Sequence, residues 1–113
     1  MKFFENYKHL IDNQKHACIV HVPKGVKHSK DLFHCFKIGL KFPEGFGNNW
    51  NALDDFLDDL SWLDEKIILI VHDEFPQLSD AEVTYYWDTL RSAVEYWQTN
   101  RSKTFVVIFG TAE

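Results

Sequence analysis

Two stretches of this chain, residues 66–71 (KIILIV) and 103–110 (KTFVVIFG), are apolar at almost every position. A strand with one wet face alternates apolar and polar residues, whereas a strand covered on both faces does not. These runs therefore read as buried strands of a small parallel sheet, and residues 17–22 (ACIVHV) read as a third. Parallel strands need crossover segments, and the intervening sequence has helical spacing. Ser29 is a candidate N-cap for a helix carrying Leu32, Cys35, Phe36 and Leu40. Ser79 and Glu82 form an S-x-x-E capping pair, after which Val83, Tyr86, Trp87, Leu90, Val94 and Trp97 recur at helical spacing to about Asn100. Phe3, Tyr7, Leu10 and Ile11 allow a short opening helix. With the acidic segment described next, the order is β-α-α-β-α-β. The fold class is α/β, a small three-stranded parallel sheet packed with helices.

The second constraint lies in residues 49–60. At about 100° per residue, Trp50, Leu53, Phe56, Leu57 and Leu60 share a sector roughly 120° wide. Asn51, Asp54, Asp55, Asp58 and Asp59 occupy an opposite sector roughly 140° wide. No Lys or Arg stands at i+3 or i+4 from these acids, and Asp58 and Asp59 face the negative end of the helix dipole. Such a face is locally unfavourable, and a partner that brings positive charge relieves it. The loop ahead, PEGFGNN, is turn chemistry, with Gly45 and Gly47 open to positive φ or close backbone approach. It is not a phosphate loop: the third position of G-x-G-x-x-G is Trp50, no Lys follows, and the next helix is acidic.

Composition narrows the function classes. A chain of 113 residues with 45% apolar residues and ten Phe fits one domain with a packed core. The formal net charge of -5 disfavours nucleic acid as a direct ligand and favours a basic partner. No stretch approaches the roughly 20 apolar residues of a membrane span. The opening MKFFENYKHL has no apolar run of signal-peptide length, so the expected compartment is the cytoplasm, where Cys18 and Cys35 stay reduced.

The run FPEGFGNNWNALDDFLDDLSWL, residues 42–63, resembles the signature of the barstar family, small intracellular inhibitors of secreted ribonucleases; P-E-G-F-G-N-N-W-N-A-L-D-D is the core of the match. The element order is similar over most of the chain, so residues 1–113 read as a single barstar-like domain, with 1–16 an N-terminal extension before the first strand. The resemblance implies a non-enzymatic inhibitor, an immunity protein without cofactor or metal. It acts as a monomer in a 1:1 complex and caps the active site of a basic nuclease, foremost a secreted or delivered ribonuclease toxin. In the family, this loop and helix enter the nuclease cleft, where a carboxylate takes the phosphate position against catalytic Arg and His side chains. By position, Asp55 is then the chief anchor, and Phe46 and Gly47 match the loop's aromatic and glycine. Gly45, Asn51 and Asp54 stand where barstar itself has tyrosine, aspartate and tryptophan. Asn48, Asp58 and Asp59 complete the implied contact surface, and Trp62 lies near a contacting tryptophan of barstar at a spacing that differs by about two residues.

Two further readings stand beside this one. A barstar-like binding module could serve a partner that is not a ribonuclease. Alternatively, His72, Asp73 and Glu74, at the exit of the second apolar run, could do acid–base chemistry in a small hydrolase. Cys18 and His21 spell C-x-x-H, but residues three apart on a strand point to opposite faces, so they do not chelate one ion. Trp87, Tyr96 and Trp97 have helical spacing and no basic stripe beside them, so they read as packing residues and not as a base-stacking surface.

Overall fold

The apolar runs become neighbouring strands in the computed structural model, which describes residues 2–6 and 17–111. Among the described residues the order is β1 (Lys2–Asn6), β2 (Ala17–Val22), α1 (Ser29–Gly39), α2 (Trp50–Leu57), β3 (Ile67–His72), α3 (Asp80–Asn100) and β4 (Thr104–Thr111). The three strands read from the sequence lie side by side and parallel, with Ala17 opposite Ile67 and Ile67 opposite Thr104. β1 adds a fourth parallel strand beyond β4, with Lys2 opposite Ile108 and Phe3 opposite Phe109. This corrects the opening of the chain: Phe3 belongs to a strand, not to a helix, and the extension before Ala17 contributes that strand. Tyr7, Leu10 and Ile11 lie outside the described residues. The physical reason is the free edge of β4, whose backbone N–H and C=O groups gain partners from any extended segment beside them.

Successive strand residues point to opposite faces of the sheet. Cys18, Val20, Val22, Ile68, Ile70, Phe105 and Val107 face the three described helices and form the main core with them. On the other face Leu69, Val71 and Ile108 are also buried, which explains why β3 and β4 do not alternate in the sequence.

α1 crosses β2 at very short range. A Cβ on Gly39 would lie 2.7 Å from the Ile19 carbonyl oxygen and 2.9 Å from Val20 Cα, so only glycine fits. Ser29 is the first residue of this helix and not its cap. His28 holds the N-cap position without a side-chain hydrogen bond, and its carbonyl accepts from Asp31 and Leu32 instead. In α3 the capping pair is present: Ser79 Oγ accepts from the Glu82 N–H at 3.3 Å. α3 turns Tyr86, Leu90, Ala93 and Trp97 into the core.

α2 is shorter than residues 49–60. Asn49 caps it, accepting from the Ala52 N–H at 2.8 Å, and the helix stops at Leu57. The chain then turns through Leu60 at φ 52°, which carries Leu60 and Leu63 into the core. Continuing the helix would stack further carboxylates at its negative end, whereas turning buries two leucines.

Candidate functional site

The loop and the acidic helix stand on a base of aromatic rings. Phe46 is buried and packs against Phe42 at 4.8 Å, Phe56 at 5.3 Å and Phe33 at 6.0 Å between ring centroids. The loop's aromatic side chain therefore points inward and fixes the loop; it does not offer its ring to solvent. Gly45, Gly47 and Asn48 are the exposed part of the loop. Gly45 sits at φ 97°, where a side chain is strained although the space beside it is empty. Asn48 takes φ 53°, a conformation asparagine tolerates better than most residues. Asn49 Nδ2 donates to the Gly47 carbonyl at 3.3 Å, so the residue that caps α2 also ties down the loop.

On α2, Leu53 and Leu57 are fully buried, while Asn51 and Asp55 are exposed. Asp54 and Asp58 are half-buried, and Asp59 is exposed in the turn, accepting from the Ser61 N–H at 3.2 Å. Among the described residues the ion pairs are His21–Asp73, Lys41–Glu65 and Arg91–Asp88, so none neutralises the acids of residues 54–59. Asp58 bears most of the cost. Its Oδ1 is buried without a hydrogen-bond partner among the described residues, and burial, followed by the charges of Asp54 and Asp55, pushes its carboxyl up to about 6.

Trp62 is half-buried, edge-to-face with Phe42 and tilted against Phe56, and its indole N–H donates to the Leu40 carbonyl at 2.8 Å. That bond makes it a strut between the turn and the end of α1. One contribution escaped the sequence reading. Tyr85 and Asp88 of α3 line, with Asn51 and Asp54, a groove of about 320 Å³ between the two helices. Both lie off the apolar stripe of α3, but no pattern in the sequence states which helix lies beside that flank.

The residues of the hydrolase reading are committed elsewhere. His72 is 1% exposed; its Nδ1 lies 3.1 Å from the Ile108 carbonyl oxygen and its Nε2 2.7 Å from the Tyr86 hydroxyl. Nδ1–H donates to the carbonyl, so Nε2 accepts from the hydroxyl. Burial pushes the imidazole down to about 4, which keeps it neutral. Asp73 accepts from His21 Nε2 at 2.8 Å, and Glu74 accepts from Gln77 Nε2 at 2.5 Å. All three residues line one largely aromatic cavity of about 520 Å³ with Phe75, Trp87 and Phe109, but each of the three side chains is hydrogen-bonded to a group other than the remaining two. Cys18 is buried toward the helices and His21 is exposed on the other face of the sheet. Among the described residues no group of three or more His, Cys, Asp or Glu is placed to hold a metal ion. No helix among the described residues is long and apolar enough to cross a membrane.

A small parallel α/β protein with an acidic helix mounted beside a glycine-bearing loop is the arrangement of one family of inhibitors. The family described as barstar (barnase inhibitor) matches the chain over residues 18–109. The chain belongs to the barstar family, whose members are non-enzymatic inhibitors that bind ribonucleases such as barnase. No curated protein sequence matches the chain.

Proposed function

We propose that this protein inhibits a basic nuclease, foremost a ribonuclease toxin, by seating α2 and the exposed loop before it in the enzyme's substrate cleft. The observation that carries the reading is the row of carboxylates at Asp54, Asp55 and Asp58, which have no ion-pair partner among the described residues and stand on a base of packed aromatic rings. A nuclease cleft is built to hold a polyanion. Carboxylates fixed at phosphate-like positions satisfy its cations while offering no bond to cut. Asp55 is the anchor, at the exposed centre of the face; Asn51, Asp54, Asp58 and Asp59 surround it, and Gly45, Gly47 and Asn48 make backbone-rich contacts beside it. Trp62 and Phe46 support the surface from behind. The chain acts as one domain, a monomer in a 1:1 complex, in the cytoplasm of a cell that must survive the toxin. The differences from barstar at Gly45, Asn51 and Asp54 favour a target whose cleft differs from that of barnase.

The test is capture of the partner from the native cell, followed by an RNA-cleavage assay with equimolar protein. The expected result is stoichiometric inhibition that Asp55→Ala relieves. A captured partner without nuclease activity, or cleavage that proceeds unchanged beside excess protein, overturns the proposal.

A further inference from the structure

We propose that the aromatic cavity at the carboxyl ends of β3 and β4 binds a flat aromatic cation, with Phe75, Trp87 and Phe109 holding the ring and Glu74 the positive charge. None of its lining residues belongs to α2 or to the loop before it, so the inference does not rest on the inhibitor reading. The cavity holds about 520 Å³, inside the roughly 300–1,000 Å³ of small-molecule sites. The carboxyl ends of parallel strands are also where open α/β sheets receive ligands. Phe75, Trp87 and Phe109 are each half-buried, so three large rings keep part of their surface in water at one place. Their planes share roughly one orientation. Phe75 lies 5.3 Å and 19° from Trp87 and 6.0 Å and 27° from Phe109, and the buried ring of His72 lies 4.4 Å and 21° from Phe109. Asp73 and Glu74 also line the cavity, and among the described residues no Lys or Arg does.

Ring alignment and charge together select the ligand. Aromatic rings favour offset stacking, which a flat ring entering beside these aligned planes continues and a puckered aliphatic ring does not. The two carboxylates repel an anion and attract a cation, whose charge also favours the faces of the rings. A carboxylate has about four acceptor sites, and Gln77 donates to Glu74 at Oε1, so Glu74 keeps acceptors for an ammonium group. Asp73, held by His21, adds its charge. His72 supplies ring surface only, because the Ile108 carbonyl and the Tyr86 hydroxyl engage both its nitrogens. The cavity is therefore a binding site and not a centre for acid–base chemistry.

The test titrates tryptamine, indole-3-acetate and 2-cyclohexylethylamine into isotope-labelled protein by two-dimensional NMR. Indole-3-acetate keeps the flat ring and reverses the charge; cyclohexylethylamine keeps the charge and loses the flat ring. Tryptamine is expected to shift the amides of Glu74, Phe75 and Phe109 and the indole N–H of Trp87, with a Kd at least about tenfold below that of either other probe. Glu74→Gln is expected to weaken tryptamine and to narrow its lead over indole-3-acetate, and Trp87→Leu to weaken both indoles. A spectrum unchanged away from the cavity verifies the fold of each variant; Glu74→Gln, on a half-buried strand exit, decides the matter if Trp87→Leu does not fold. Asp55→Ala leaves the tryptamine shifts as they are. Absence of these shifts overturns the proposal, as does equal binding of either other probe or tryptamine binding that Glu74→Gln does not weaken. Shifts of the same amides on raising the protein concentration alone also overturn it, because a second copy of the chain then fills the cavity.

Discussion

Asp58 and His72 are displaced from their ordinary titration ranges in opposite directions, chiefly by burial. Asp58 moves from 3.8 up to about 6, and His72 from 6.5 down to about 4. Asp58 holds its proton more firmly in the folded chain than in the unfolded one. Its contribution to stability is therefore fully present below 3.8 and is lost as pH rises through about 6. His72 stays neutral in the fold while the unfolded imidazole takes up a proton. Its contribution is present above 6.5 and is lost as pH falls toward about 4. In the overlap the two slopes oppose each other. The shift at His72 corresponds to roughly 3 kcal/mol, and that at Asp58 to less, because its carboxyl is partly solvated. Asp58→Asn removes one slope and leaves the other. The variant should melt higher than wild type at neutral pH and lose stability more steeply on acidification; melting curves between about pH 4 and about pH 7 decide it, and two parallel profiles would refute it. Asp55 is a different case, exposed and without an ion pair among the described residues. Asp55→Ala should leave stability within about 0.5 kcal/mol of wild type yet weaken nuclease binding by at least about 2 kcal/mol, with Asp54, Asp58 and Asp59 each costing less. Calorimetric titration of each variant, with its melting temperature, separates the two effects.

At the scale of elements, tryptophan side chains hold the ends of the two helices that precede β3. Trp97 of α3 donates its indole N–H to the Leu57 carbonyl at 2.7 Å, and Trp62 does the same for Leu40 at 2.8 Å. The last carbonyls of a helix have no partner within it, and buried ones cost free energy when left alone. Lys103 Nζ adds bonds to the Leu63 and Glu65 carbonyls at 2.9 and 2.7 Å, fixing the turn into β3. Trp97→Phe keeps most of the apolar contact and removes the donor. It should cost about 1–3 kcal/mol and loosen α2 at its C-terminal end, which amide exchange around residues 54–57 would register as lost protection. At the other end of the same helix, Asn49→Ala removes the cap and the tie to Gly47. A loss of about 1 kcal/mol in urea unfolding is expected, with a further loss of affinity because the loop is freed.

For the whole molecule, the charge that is unfavourable within α2 becomes useful at long range. The formal net charge is -5, and the acids of residues 54–59 form no ion pair among the described residues. Association with a basic nuclease should therefore be fast at low ionic strength and should slow as salt shortens the range of the field. Stopped-flow mixing at two salt concentrations measures this. An on-rate that does not change would show that the carboxylates do not lead the encounter.

The amino-acid pattern alone was enough for the three parallel strands, the capping pair at Ser79 and Glu82, and the inward set Leu53 and Leu57 against the outward set Asn51 and Asp55. These features follow from local periodicity and short-range hydrogen bonding, which depend only on neighbours along the chain. The tertiary structure decided the rest. Phe46 turns inward because Phe33 on α1 and Phe56 on α2, with Phe42 from its own loop, make a pocket for its ring. α2 ends at Leu57 because burying Leu60 outweighs another turn of helix, and Lys2–Asn6 becomes a strand because the edge of β4 is free to pair with it. The groove that joins Asp54 to Tyr85 and Asp88 exists because α3 packs along one flank of α2. Each of these outcomes is a competition among groups distant in sequence, and the order of residues names the competitors without stating which of them meet.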